Sequence, residues 1–155
     1  INILKKQIII FILIPFLAFA QWNYGKLNNE IGTYAVGDIN FMGFDDFEFK
    51  LIKSKNKDLA LSINSEYFIE DYYYVVISVF NKHFRISEFE IFERKFNIIE
   101  LQDLAKNDKY TVTEFLKFLK SDDECIVTIK NNNKIIQGFS SLKESSLAIN
   151  YVLRR

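Results

Sequence analysis

Alternation of apolar and polar side chains is the feature that most restricts how this chain can fold. Phe47, Phe49 and Leu51 alternate with charged residues, and after a polar turn at 54–58 the alternation resumes over 59–63. Because successive side chains of a strand point to opposite faces, a period of two predicts strands with one buried face. Two such runs joined by a short polar turn predict a β-hairpin.

Two further hairpins are predicted from similar patterns. Residues 72–80 are Tyr, Val, Ile and Phe with a single Ser, and the polar pair Asn81-Lys82 supplies a turn before the chain returns through 83–86. Nearer the C-terminus, the β-favouring runs 125–129 and 135–139 flank the loop Lys-Asn-Asn-Asn-Lys. A connection of this length is typical of a hairpin.

The segment that follows residue 86 permits two interpretations. The parity of the apolar residues changes between Ile86 and Phe89, so a continuous strand requires a β-bulge near 87–88. The alternative is a helix that carries Phe89, Phe92 and Phe96 on one face. The aromatic content favours the strand.

Helix signals are confined to the last third of the chain. Thr111 and Glu114 have the spacing of a capping box, and the apolar stripe that follows predicts a helix ending near Lys120. Ser141 and Glu144 have the same spacing and predict a second helix that runs to the C-terminal arginines.

The order of these elements is strands, helix, hairpin, helix. A parallel sheet would need helices that alternate with strands throughout. We therefore predict an α+β fold in which an antiparallel β-sheet of hairpins is packed against two C-terminal helices. The alternative is a β-sandwich with one or two short helices.

Residues 1–20 have the pattern of a cleavable signal peptide. Lys5-Lys6 precedes an apolar run over 8–17, and the small-x-small motif Ala18-Phe19-Ala20 follows. The run contains Pro15 and is shorter than the about 20 apolar residues that a membrane-spanning helix needs. A removable leader is therefore favoured over a membrane anchor.

Removal of this leader defines the expected mature protein. We predict cleavage before Gln21, a single α+β domain over 21–155, and no membrane span once the leader is gone. The expected location is outside the cytoplasm, either periplasmic or extracellular. Cys125 is the only cysteine, so no internal disulfide can form, and we predict that it is a buried apolar residue at the start of a strand.

The charge balance excludes one class of partner. The chain has 20 Lys plus Arg and 20 Asp plus Glu, and the leader contains two of the lysines. Nucleic-acid binding usually depends on a basic surface that displaces counterions from phosphates. We therefore predict no nucleic-acid partner.

Catalytic and metal-binding patterns are weak. His83 is the only histidine and falls at a predicted hairpin turn, where a surface position is expected, so we predict no catalytic residues and no cofactor. We also predict no metal site, because no acidic cluster matches a calcium-binding loop. The best candidates for an ion are four oxygen-bearing residues near two glycines: Asp38, Asn40, Asp45 and Asp46.

A concentration of tyrosines is the one feature that suggests binding. Tyr67, Tyr72, Tyr73 and Tyr74 combine apolar rings with hydroxyl groups, as interface residues do, although packing in the core is the simpler explanation for them. We interpret the chain as an exported envelope or secreted non-enzymatic protein that binds a protein or an envelope component through this aromatic surface. The alternatives are a small periplasmic hydrolase, whose carboxylates such as Asp46 and Glu66 meet only in the fold, and a structural subunit.

Overall fold

The computed structural model describes residues 22–28, 31–42, 44–66, 68, 73–132 and 134–155. Ten strands and two helices lie within them. The strands are β1 (Asn23–Lys26), β2 (Gly32–Phe41), β3 (Phe44–Ser54), β4 (Leu59–Asn64), β5 (Tyr74–Val79), β6 (Lys82–Phe92), β7 (Lys95–Asp103), β8 (Lys109–Thr111), β9 (Glu124–Asn131) and β10 (Lys134–Ser141). The helices are α1 (Val112–Ser121) and α2 (Ser145–Leu153).

Eight of the strands close into an antiparallel barrel. The order around the ring is β2, β10, β9, β5, β6, β7, β4 and β3, and β3 pairs again with β2. Outside the ring, β1 extends the pairing of β2 and β8 extends that of β7.

This closure overturns the predicted α+β fold. The expected sheet of hairpins was open, with its face covered by two helices, whereas here each of the eight strands pairs with two others of the ring and the path returns to β2 through its pairing with β3. A closed sheet has no edge strands within the ring and buries its interior by curving on itself. The β-sandwich alternative is wrong as well, because the strands form one continuous ring.

The local strand predictions are confirmed. The hairpins β3–β4, β5–β6 and β9–β10 form as predicted, with the β5–β6 turn one residue earlier than the predicted Asn81-Lys82. At the β5–β6 turn, Phe80 and Asn81 have φ values of 55° and 57°, the left-handed conformation that tight hairpin turns require. In the β6–β7 pairing the register shifts on both sides of Glu88, so the bulged strand is correct and the helical alternative is wrong.

Large side chains fill the barrel. Along β2 and β5, buried residues alternate with more exposed ones, so one set of side chains points inward. The largest fully buried side chains among the strands and their connections are aromatic: Phe41, Phe49, Phe68, Tyr73, Phe84 and Phe96. An eight-stranded barrel is just wide enough for such side chains to occupy it, so its middle is a packed core.

The two helices differ in how they begin. At α1, Glu114 N–H donates to Thr111 Oγ1 at 3.3 Å while the Glu114 carboxylate accepts from Thr111 N–H at 3.2 Å, which confirms the first capping box. The second predicted box is wrong, because Glu144 has a φ of 65° and no side chain caps α2. Instead, Ser145 Oγ donates to the Leu119 carbonyl at 2.7 Å and joins α2 to α1.

Candidate functional site

The structure describes two of the four tyrosines predicted to form a binding surface. Tyr67 and Tyr72 lie outside the described residues. Tyr73 is buried, with its ring edge-on to Phe68 at a centroid distance of 5.1 Å. Tyr74 is half-buried and has the opposite parity, so it lies on the outer face of β5. Tyr73 is therefore a core residue, and Tyr74 is the described member of the set that can reach a partner.

The structure describes the side chains of two of the four ion-binding candidates. Asp38 and Asn40 are exposed on β2, where Asp38 pairs with Glu48 on β3 and Asn40 pairs with Phe139 on β10. Asp45 and Asp46 belong to β3, and their side chains lie outside what the structure describes. Among the described residues, no three His, Cys, Asp or Glu side chains are arranged to hold a metal ion.

Large apolar side chains lie on the outside of the barrel in two groups, with Met42, Ile126 and Phe139 around one cleft and with Ile135 and Tyr74 on either side of Lys130. We call the following set the outer-wall patch: Met42, Tyr74, Ile126, Ile135 and Phe139. The exposed fractions are 93% for Met42, 61% for Ile135, 46% for Phe139 and 44% for Ile126. Clustered apolar exposure of this kind marks an interaction surface more often than scattered apolar residues do.

Strand register accounts for the arrangement of the patch. Phe139 on β10 is directly opposite Ile126 on β9, so the two side chains share the outer face. Ile135 pairs with Lys130, which in turn pairs with Tyr74 on β5. The patch therefore crosses three neighbouring strands.

The most apolar part of the patch surrounds a shallow cleft. Met42, Ile126 and Phe139 line it together with Asn40 and Gln137, around a volume of about 390 Å³. Next to this cleft, Gln137 Nε2 donates to Thr128 Oγ1 at 3.2 Å. The cleft can accept apolar groups, while the neighbouring amide and hydroxyl offer hydrogen bonds.

Sequence reasoning missed Ile126, Ile135 and Phe139 as surface residues because it used their runs only to predict a hairpin. A signal was nevertheless present, since apolar residues occupy both parities in 125–129 and 135–139. Only one parity can face the interior of a barrel, and here Cys125 and Val127 do so.

His83 is exposed, as predicted, and contacts a possible nucleophile. Its Nδ1 is 2.7 Å from Ser78 Oγ across the β5–β6 pair, and Ser78 is opposite Ile126 at the margin of the outer-wall patch. A Ser–His pair that performs acyl transfer also needs a group that orients the second ring nitrogen. Within the described chain, no hydrogen bond joins a carboxylate to His83 Nε2.

An acidic cleft lies on another part of the wall. Asp38 and Glu48 line it with Glu66, Glu93 and Arg94, around about 370 Å³. Arg94 forms an ion pair with Glu66, and this pair neutralises part of the negative charge of the cleft. Of the two acids that the hydrolase alternative named, Glu66 lies here, whereas the Asp46 side chain is outside the described residues.

The fold shifts the pKa of two buried titratable side chains, Cys125 and Asp103. Cys125 is buried as predicted, and burial raises the pKa of its thiol to about 12, with Asp122 and Glu124 adding to the effect. The pKa of Asp103 is lowered, chiefly because its carboxylate accepts the Ala105 N–H at 2.9 Å, and Lys82 lies 3.3 Å away. The protonated thiol of Cys125 is a poor nucleophile at neutral pH.

The fold and these surfaces were compared with known proteins. No protein-family model matches the chain, and neither a curated protein nor a solved structure shows significant similarity to it. Within the described part of the chain, neither helix combines the length and apolar character that crossing a membrane requires. Function is therefore inferred from the surfaces themselves.

Proposed function

We propose that the protein is an exported, non-enzymatic binding protein that recognises a protein partner through the outer-wall patch. The observation that carries the proposal is the direct pairing of Phe139 with Ile126 on the outer face, next to the exposed Met42. Aromatic and aliphatic side chains already occupy the middle of the barrel, so that middle has no room for a ligand.

The composition of the patch favours a protein over a small polar ligand. Interface centres are rich in aromatic residues and Met and poor in charged residues, and Met42, Tyr74 and Phe139 fit that composition. Lys130 is exposed between Tyr74 and Ile135, so the part of the patch around Met42, Ile126 and Phe139 fits an interface centre better than the part around Tyr74 and Ile135.

The exported location rests on the signal-peptide pattern of residues 1–20, which lie outside the described residues. If the leader is removed during export, an N-terminal sequence of protein purified from its native source begins at Gln21. Recovery of peptides from the leader in that material contradicts the export part of the proposal without affecting the binding part.

Capture from a cell-envelope extract tests the binding part. The baits are the wild-type protein, the double variant Ile126→Thr/Phe139→Thr, and the control Phe92→Thr. Thr keeps a strong preference for strands, so loss of apolar area is the main change. Phe92 is 69% exposed at the end of β6, outside the patch, which makes it a matched loss of one exposed aromatic ring.

We expect the wild type and Phe92→Thr to recover the same protein and the double variant to lose it. Thermal unfolding of all three baits establishes that each is folded. Equal recovery of the same proteins by the double variant and the wild type contradicts binding through the patch. If the patch-dependent material is a lipid or a glycan, the protein partner is wrong although the surface is correct.

A further inference from the structure

A second surface with different chemistry lies beside the C-terminal end of α2. Lysine and arginine side chains surround a cleft of about 330 Å³ formed by β1, β2, β3 and the end of the chain. We call it the basic cleft and define it by six residues: Lys26, Thr33, Lys53, Lys55, Lys57 and Arg155. None of the residues that line it has a carboxylate side chain.

Register brings these cations together around one residue. Thr33 on β2 is directly opposite Lys26 on β1 and also directly opposite Lys53 on β3. Residues that face each other in this way project from the same side of the sheet. Thr33 therefore lies between two ammonium-bearing side chains, while Lys55 and Lys57 come from the β3–β4 turn.

None of the residues that the structure describes forms a hydrogen bond with the hydroxyl of Thr33. Thr33 is 7% exposed, and its Oγ1 is buried without a donor or acceptor in contact. A buried polar group without a partner is costly, so it calls for an explanation, and a bound ion or water is one of those that apply. The neighbouring lysines can only donate hydrogen bonds, so the Thr33 O–H lacks an acceptor.

Contacts with the backbone hold part of the cluster in position. Lys53 Nζ donates to the Leu153 carbonyl at 2.9 Å, at the end of α2, and Lys57 Nζ donates to the main-chain oxygen of Arg155. The Arg155 guanidinium lies 4.7 Å from the centroid of the Tyr151 ring. Each ammonium has three N–H groups, so Lys53 and Lys57 retain donors for a ligand.

The remaining charges of the cluster are not neutralised by acids. Across the described residues, no ion pair with a carboxylate involves Lys26, Lys55 or Arg155. The whole chain has equal numbers of basic and acidic residues, so this excess of positive charge is local. A negatively charged acceptor would pair with the lysines, and it would reach the buried Thr33 hydroxyl once the side chains around that group move aside.

We propose that the basic cleft binds a phosphate group. A phosphate offers several oxygen acceptors, which lysines bind as point charges and arginine binds in a bidentate manner. The phosphate can belong to a free phosphate or to the headgroup of an anionic lipid, since both present the same chemistry. The site uses strands β1 to β3, so it is independent of the outer-wall patch on β5, β9 and β10.

Titration with inorganic phosphate, followed by backbone amide chemical shifts at low salt, tests the proposal. The proteins compared are the wild type, Lys26→Gln/Lys55→Gln, and the control Lys117→Gln/Lys143→Gln, which loses the same charge from exposed positions elsewhere. We expect saturable shifts at Thr33 and its neighbours in the wild type and the control. In the cleft variant, binding should weaken by about tenfold or more.

Sedimentation with lipid vesicles distinguishes the two sources of phosphate. Binding to phosphatidylglycerol vesicles but not to phosphatidylcholine vesicles, with loss in Lys26→Gln/Lys55→Gln, assigns the site to an anionic lipid headgroup. Binding to inorganic phosphate without binding to either vesicle assigns it to a free phosphate. If neither probe binds, or if the cleft variant and the control bind equally, the proposal is wrong.

Thr33→Val provides a test that does not depend on charge. Val replaces the hydroxyl by a methyl group of similar size, so without phosphate we expect a melting temperature equal to or above that of the wild type. Phosphate binding should nevertheless weaken about fivefold or more, because the O–H donor is lost. A large fall in melting temperature without phosphate would mean that the hydroxyl has an internal partner, and this would overturn the proposal.

Discussion

Trp22 packs against the backbone of β2 at Gly37, where a side chain is excluded. A Cβ at Gly37 would lie 2.3 Å from Trp22 Cε2. The same indole stacks on the Phe49 ring, with the two ring centroids 6.2 Å apart. Its Nε1 donates a hydrogen bond to the Ser141 carbonyl at 3.1 Å. One residue thus joins β2, β3 and β10, and its position depends on the absence of a side chain at Gly37.

We expect Gly37→Ala to destabilise the protein by about 1–3 kcal/mol, because the added methyl group overlaps a ring that has no room to move. Gly25→Ala is the matched control, since a Cβ there would meet Tyr34 at 3.4 Å, which is ordinary contact. Its effect should stay within about 0.5 kcal/mol. Urea unfolding of both variants measures the difference, and equal effects would mean that Trp22 does not rest on Gly37.

Asp103 makes the stability of the folded protein depend on pH in the acid range. Its folded-state pKa lies below the ordinary value of 3.8, mainly because of the Ala105 N–H and then because of Lys82. Since folding lowers the pKa, the ionised carboxylate stabilises the native state fully above its ordinary pKa. That contribution is lost as the pH falls through the lower, folded-state value.

Asp103→Asn should therefore lower the free energy of unfolding at neutral pH and flatten its fall below pH 3.8. The control is Asp108→Asn, at an exposed position in the loop that follows β7. Urea unfolding at a series of pH values compares the curves. A variant curve that runs parallel to the wild-type curve down to strongly acid pH would exclude Asp103 as a source of acid sensitivity.

At the level of elements, helix α1 depends on a short-range signal that the sequence makes visible. Thr111→Ala removes the hydroxyl that accepts the Glu114 N–H, so we expect a loss of about 1 kcal/mol. Thr113→Ala is the control, because Thr113 is exposed within the same helix and contributes no cap. Urea unfolding measures both, and a cost for Thr113→Ala as large as that for Thr111→Ala would contradict the capping role.

Elements were predictable where a local pattern determines them. The β6 bulge followed from a change of parity, and the α1 cap followed from the spacing of Thr111 and Glu114. The α2 cap failed because Glu144 adopts a left-handed conformation, while Ser145 is held by a carbonyl of α1. Sequence spacing alone does not reveal a tertiary contact of that kind.

At the level of the whole molecule, closure was not predictable from alternation. An open sheet and a barrel show the same period of two, and the choice depends on which distant strands pair. The seam between β2 and β10 consists of Gly138 opposite Phe41 and Phe139 opposite Asn40. Gly138 permits it, because a Cβ there would lie 2.6 Å from the Phe41 ring.

The candidate site was only partly predictable from the sequence, again because the sequence does not show which strands pair. The tyrosine run pointed to β5, and Tyr74 does lie on the outer wall, but Tyr73 is buried in the core. Ile126 and Phe139 become one surface only when β9 and β10 pair in the observed register. Residues that are next to each other through strand pairing carry no common motif along the chain.

Backbone nuclear Overhauser contacts in the folded protein test barrel closure most directly. We expect cross-strand contacts of Asn40 with Phe139 and of Phe41 with Gly138, together with contacts of Asp38 with Glu48 on the other edge of β2. Contacts along both edges of β2 require a closed ring once contacts are also found in the β3–β4, β4–β7, β6–β7, β5–β6, β5–β9 and β9–β10 pairs. Contacts between β2 and β3 without any between β2 and β10 would contradict the barrel and support an open sheet.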